Sequence, residues 1–286
     1  MIIEHFFDDR TFTLTYVVYD EAEGDAIVID PVLDYDPASG KIFLESMDKL
    51  IAYLKEKKLE LKMVLETHAH ADHLSASHKI KEYFPKAVVA ISERIQQVQE
   101  KFKPIFNLGD EVRADGSQFD RLLKDEEVIE VGSLKFRVIH TPGHTPACAS
   151  FLFDGAVFTG DALFMPDFGT GRCDFPGGSS KELYNSIHNK LYKLPDDTKV
   201  YVGHDYMPNG RSLAFVSSIK EEKQSNCNLT DKTPENDFIK MRDERDSKLK
   251  APSLLLPSIQ VNINAGHLPN PEDNGKAYLK IPIKIS

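Results

Sequence analysis

Residues 67–73 read Thr-His-Ala-His-Ala-Asp-His. Three imidazoles and one carboxylate fall within six positions, directly after the apolar run 61–66, which reads as a short buried strand. Imidazole and carboxylate are the donors that Zn2+ and Fe2+ take. Close spacing lets one loop contribute several of them at little closure cost. The alanines between them leave room for an ion and a substrate. A chain carrying this segment must end a strand in a loop of donors and bring more donors to it.

Three later loops offer them. Thr141-Pro142-Gly143-His144-Thr145-Pro146 follows an expected strand over 135–141. Thr159-Gly160-Asp161-Ala162 follows the next hairpin, and Val202-Gly203-His204-Asp205-Tyr206 follows a strand over 200–202. In each a glycine precedes the candidate donor, and the expected reason is close approach of the backbone to the ion. His5, His78, His140, His188 and His267 lie outside these loops and read as surface or packing residues.

Around the loops, strands and helices alternate in two halves. Strands are expected over 11–19 and 26–30, joined by a turn at 23–25, and then over 61–66 and 87–91. Apolar spacing predicts a helix over 41–57, with others over 75–84 and from a Ser92 cap through 99. The second half brings strands over 128–131, 135–141, 148–153, 156–159 and 200–202. Ser179 with Glu182 forms a capping box for a helix over 180–194. Helices are expected over 211–224 and, behind a Thr233 cap, over 234–246. The Pro-, Asn- and Gly-containing tail, 251–286, is expected to wrap the domain. This order suggests two mixed sheets packed face to face with helices outside, an α/β class. Residues 1–286 are expected to form one domain, with 207–286 a helical and wrapping extension of it.

Composition narrows the function. Hydrophobic residues make up 41% and charged residues 28%, which places the chain among ordinary globular proteins. The net charge of −10 argues against a nucleic-acid partner, which requires a basic face. No apolar run is long enough to cross a bilayer, and the opening residues lack the basic, apolar and small-residue pattern of a secretory signal, so none is expected. The three cysteines, Cys148, Cys173 and Cys227, are scattered and form no C-x-x-C pair, so a reducing cytoplasm is the expected compartment. The apolar 254–256 run is a candidate contact for a homo-oligomer.

The series H-x-H-x-D-H, then T-P-G-H-T, then G-D, then G-H resembles the ligand series of the metallo-β-lactamase superfamily over about residues 16–206. The resemblance implies an αβ/βα sandwich with a metal site at one sheet edge. It implies one metal position built from His68, His70 and His144 and another from Asp72, His73 and His204, with Asp161 able to bridge them.

Residues 160–164, the stretch Thr170-Gly171-Arg172-Cys173-Asp174-Phe175-Pro176-Gly177-Gly178, Gly203–Tyr206 and the tail 256–269 resemble the persulfide dioxygenases and their bacterial β-lactamase-like hydrolase branch. That resemblance implies a single Fe(II) held by His68, His144 and Asp161, with zinc possible in purified protein. A facial triad of this kind leaves positions open for substrate and O2. His70, Asp72, His73 and His204 would then stand behind the ligands and orient them. The implied substrates are O2 and a thiol persulfide, such as glutathione persulfide. Arg172 matches the arginine that contacts the thiol carrier, Tyr206 a residue of the pocket wall, and Lys223 is a weaker anion-binding candidate. Cys173 reads as a packing residue sooner than a catalytic thiol. The rival is a glyoxalase II-like thioester hydrolase, which would use the same residues for a two-metal site.

Overall fold

The structure, a computed structural model, describes residues 1–22 and 24–283. One six-stranded sheet has the spatial order Ile2–Asp8, Thr13–Tyr19, Asp25–Ile29, Glu60–Glu66, Val88–Ser92, Arg121–Leu123. A second has the order Val128–Val131, Leu134–His140, Ala149–Phe153, Ala156–Phe158, Lys199–Tyr201, Val216–Ser218. Both mix parallel and antiparallel pairs. A small third sheet joins Lys41–Phe43, Val32–Asp36 and Leu74–Ser75.

Thr13–Tyr19 explains the layering. It is buried along its whole length, because both of its faces are covered. Leu14, Tyr16 and Val18 share a core with Phe136, Val138, Phe151 and Phe158 of the second sheet. Val17 and Tyr19 join the opposite core, beneath helix α1 (Glu45–Glu56), the short α2 (Ser77–Lys81) and α3 (Ile95–Ile105). Helix α1 buries Met47, Leu50, Ile51 and Leu54, one face at helical spacing. Burying each such side chain contributes about 1.5–3 kcal/mol. Helix α4 (Ser180–Asn189) begins at the expected cap, where Ser179 Oγ accepts from Glu182 N at 3.2 Å, and its Leu183 and Ile187 belong to the core of the second sheet. Helices α5 (Ile219–Ser225), α6 (Glu235–Asp246) and α7 (Leu255–Asn262) follow.

Several elements depart from the sequence expectation. The chain opens with a strand, Ile2–Asp8, that was not expected. Residues 41–43 pair with the 34–36 segment, so the first helix starts at Glu45. The helix expected from residue 75 starts at Ser77, because Leu74–Ser75 is held as a strand against Val32–Leu33. Helix α3 runs on to Ile105, and Ser92 accepts from Arg94 N without capping it. The helix expected over 211–224 is a strand followed by α5. Val216–Ser218 is drawn out to pair with Lys199–Tyr201, while Arg211 and Ala214 N are pinned by Asp205. Thr233 Oγ1 bonds Thr230 N instead of capping α6. Within the tail, helix α7 was not foreseen; its Leu255 and Leu256 pack, partly buried, against the helix-side core. The expected 23–25 turn falls partly on Glu23, and the tail partly on residues 284–286; these positions lie outside the described residues.

The four candidate loops leave their strands at one edge, where backbone bonds stitch the sheets together. Ala149 N donates to Thr67 O at 2.9 Å, Leu14 N donates to Gly203 O at 2.8 Å, and Thr13 and His204 form an isolated bridge.

Candidate metal centre

The four loops bring His68, His70, Asp72, His73, His144, Asp161 and His204 together. Donor atoms of His68, His144 and Asp161 lie within 4.8 Å of one another, as do those of His70, Asp72 and His73. Asp161 stands between the halves. Its Oδ2 is 3.5 Å from His144 Nε2, and its Oδ1 is 3.3 Å from His204 Nε2. His204 Nε2 is also 3.3 Å from Asp72 Oδ2.

Four of the imidazoles are fixed in one tautomer by what their Nδ1 atoms meet. His144 Nδ1 lies 2.7 Å from the Arg172 carbonyl, His73 Nδ1 3.1 Å from Leu74 O and His204 Nδ1 3.2 Å from Phe12 O. A carbonyl only accepts, so each Nδ1 carries a proton, and Nε2 is the nitrogen left to face an ion. His68 reaches the same state through a side chain. Thr67 Oγ1 donates its one proton to Asp30 Oδ2 at 2.7 Å, so it must accept from His68 Nδ1 at 3.0 Å. Such partners orient and enrich metal-binding imidazoles.

His70 differs. Its Nε2 lies between two buried carboxylates, 3.0 Å from Asp30 Oδ1 and 3.3 Å from Glu66 Oε2. Burial opposes charge on the ring, but Asp30 and Glu66 outweigh it and hold the pKa well above the ordinary value. His68 and His73 are shifted the other way, chiefly by burial and then by neighbouring imidazoles, His73 to about 4. They are therefore neutral, the form that binds metal.

These residues fit an ion. Among the described residues, His68 Nε2, His73 Nε2, Asp72 Oδ2 and Asp161 Oδ1 are buried without a hydrogen-bond partner. Unpartnered buried polar atoms are costly and rare, and converging lone pairs of this chemistry are what a cation satisfies.

The glycines serve packing sooner than approach to an ion. A Cβ at Gly143 would lie 2.3 Å from Leu183 Cβ, one at Gly160 2.6 Å from Thr67 Oγ1, and one at Gly203 3.1 Å from the Gly160 carbonyl. Beside the donors, the Tyr206 ring stacks on His204 with centroids 5.7 Å apart and closes an aromatic wall with Phe12, Phe164 and Phe168. The Arg172 guanidinium bonds Asp174 and the Lys250 carbonyl. Lys223 pairs with Asp196 at 2.6 Å in a different cleft, about 350 Å3 in volume, none of whose lining residues belongs to the donor cluster. Cys173 is buried and its thiol pushed far up by burial, as befits packing. All three cysteines are free. The five remaining histidines do not enter the cluster. His5 stacks on Phe215, His78 on His267, His188 on Tyr184, and His140 bonds Ser92.

Sequence reasoning missed Asp30, Glu66 and Asn262. Asp30 lies 37 residues before Thr67, which donates to it from both its N–H and its hydroxyl. Glu66 ends the preceding strand and faces His70. Asn262 donates to the carbonyls of His70 and His73.

A two-sheet sandwich with a histidine and aspartate cluster at one edge defines a metal-binding enzyme scaffold. The metallo-beta-lactamase superfamily model matches residues 8–204, and the chain belongs to that superfamily. It is 50% identical over 282 residues to Glyoxylase B2 of Dictyostelium discoideum, covering 98% of this chain and 96% of that one. It is 32% identical over 232 residues to the mitochondrial persulfide dioxygenase ETHE1 of Homo sapiens, covering 80% and 76%. The crystal structure of ETHE1 from Myxococcus xanthus superposes with a TM-score of 0.75 at 34% identity, covering 93% of this chain and all of that one. No helix among the described residues is long and apolar enough to cross a membrane.

Proposed function

We propose that the chain is a persulfide dioxygenase working with one Fe(II) held by His68, His144 and Asp161. The observation that carries this reading is the grouping of two imidazoles and one carboxylate. That donor set leaves coordination positions open for two reactants. The similarity to the two ETHE1 proteins supports it. The reaction takes a thiol persulfide, O2 and water to the free thiol, sulfite and two protons. The outer sulfur loses four electrons and O2 accepts them. Bound iron would supply the redox chemistry that lets O2 react, which zinc lacks.

The chain's own residues hold and screen the reactants. Asp30, through Thr67, keeps His68 in its donor tautomer, and the Arg172 carbonyl does so for His144. The wall of Tyr206, Phe12, Phe164 and Phe168 limits water on the His204 side. Arg172 offers a carboxylate of the thiol carrier a bidentate partner, exchanging Asp174 for it. Glutathione is the carrier we assign, and a reducing compartment such as the cytoplasm would keep the iron ferrous. Lys223 takes no part.

A thioester hydrolase is the second reading. It is favoured by Asp161 reaching both His144 and His204, the geometry of a bridging carboxylate between two metals. Anaerobic reconstitution of the apoprotein with Fe(II) or Zn(II) separates the two. With glutathione persulfide, the iron form should consume O2 and form sulfite, and a chelator should stop both. An iron form inert to O2 beside a zinc form that hydrolyses a glutathione thioester would establish the hydrolase instead.

A further inference from the structure

We infer that Asn262 is a positioning residue that holds the donor loop in its binding conformation from outside the residues matched by the family model. Asn262 ends helix α7 and is buried at 4% exposure. Its Nδ2 donates to the carbonyls of His70 and His73, both at 2.8 Å, and its Oδ1 accepts from Ser75 N at 2.8 Å. Only an NH2 can meet two carbonyls and only an oxygen can meet an N–H, so the amide has one orientation.

The donor loop needs such a partner. Its backbone is buried and irregular between the 60–66 strand and the 74–75 strand, so its carbonyls cannot be satisfied by a ladder. The upstream end is tied down at Thr67, whose N donates to Asp30 and whose carbonyl accepts from Ala149. The downstream end is tied down by Asn262, with Ser75 and Ser77 also donating to Glu66. His68, His70, Asp72 and His73 lie between these two anchors. Releasing one anchor makes metal binding order the loop as well, so affinity falls.

Neighbours of Asn262 on the same helix do other work. Gln260 bonds the Lys280 carbonyl and backbone N, fastening the tail. The inference therefore separates two residues of one helix, and it holds whichever metal or reaction the site serves.

The test uses the full chain and Co(II), read by chelator competition and by its visible absorption, so oxygen chemistry does not enter. Asn262→Asp keeps the volume and the acceptor for Ser75 but loses both donors. Asn262→Asp and Asn262→Ala should each weaken Co(II) binding about ten- to a hundredfold and change the absorption band while far-UV dichroism is kept. Gln260→Ala should lower thermal stability but keep the wild-type affinity and band. Wild-type binding and spectrum in Asn262→Asp would overturn the inference. So would a Gln260→Ala protein that loses affinity to the same extent, since the effect would then belong to the tail as a whole. If Asn262→Ala does not fold, Asn262→Asp decides.

Discussion

The Arg172 carbonyl accepts the Nδ1 proton of His144 at 2.7 Å, while the guanidinium of the same residue turns away to Asp174. Backbone and side chain thus serve different parts of the site. Arg172→Ala should keep its full metal content, because the carbonyl remains. It should lose about ten- to a hundredfold in kcat/KM, mainly through KM, as removal of a charge-assisted contact to the substrate does. His144→Ala and Asp161→Ala should instead lose metal on purification. Elemental analysis beside steady-state kinetics reads both, and an Arg172→Ala protein with unchanged kcat/KM would remove the side chain from substrate binding.

Thr67→Val tests how His68 is oriented. The substitution keeps the shape and removes the hydroxyl that links Asp30 to His68 Nδ1. Metal affinity should fall about ten- to a hundredfold, measured by competition with a chromophoric chelator. Unchanged affinity would mean that packing alone orients the ring.

Gly171→Ala tests close packing at Asp161. A Cβ there would stand 2.0 Å from the Asp161 carbonyl, which cannot move without shifting a candidate ligand. The variant should be destabilised by about 1–3 kcal/mol and should bind less metal. Thermal melting with and without metal gives both quantities, and a variant that melts and binds like wild type refutes the contact.

Glu222 sets a pH dependence away from the site. Burial is the main cause that raises its pKa from 4.5 to about 7, against the opposing bonds from Asn226 and Ser217. A raised folded-state pKa gives stability that is complete below about 4.5 and is lost as pH rises through about 7. Glu222→Gln mimics the protonated form at every pH. It should match wild type below about pH 4.5, pull ahead as pH rises from there to about 7, and keep that lead at higher pH, by about 3 kcal/mol at most. Melting curves at several pH values check this, and a constant offset between the two proteins would contradict it.

The candidate donors were legible in the sequence because their chemistry is local. Three histidines and an aspartate within one loop need no knowledge of the fold, and the later glycine-preceded donors follow strands that alternation reveals. What orders those donors was not legible. Asp30 meets Thr67 across 37 residues, and Asn262 meets His70 across 192. A single asparagine or aspartate in a sequence carries no mark of such a partner. The same holds for residues 216–218. Local pattern favoured a helix, but an open strand edge at Lys199–Tyr201 and the pinning of Arg211 by Asp205 drew the segment out.

The seven candidate donors are divided between the two sheets. His68, His70, Asp72 and His73 follow a strand of the first sheet, while His144, Asp161 and His204 follow strands of the second. An ion held as proposed, by His68 from one sheet and His144 and Asp161 from the other, would act as a rivet through two plates. Sliding one plate past the other by even a fraction of the roughly 3.3 Å strand repeat would tear the donor set apart. The ion in turn resists that shear. Pulling on the two sheets in a single-molecule experiment should meet a higher rupture force with metal than without it, at a seam otherwise held by side-chain packing and by a few backbone bonds such as Ala149 N to Thr67 O and Leu14 N to Gly203 O.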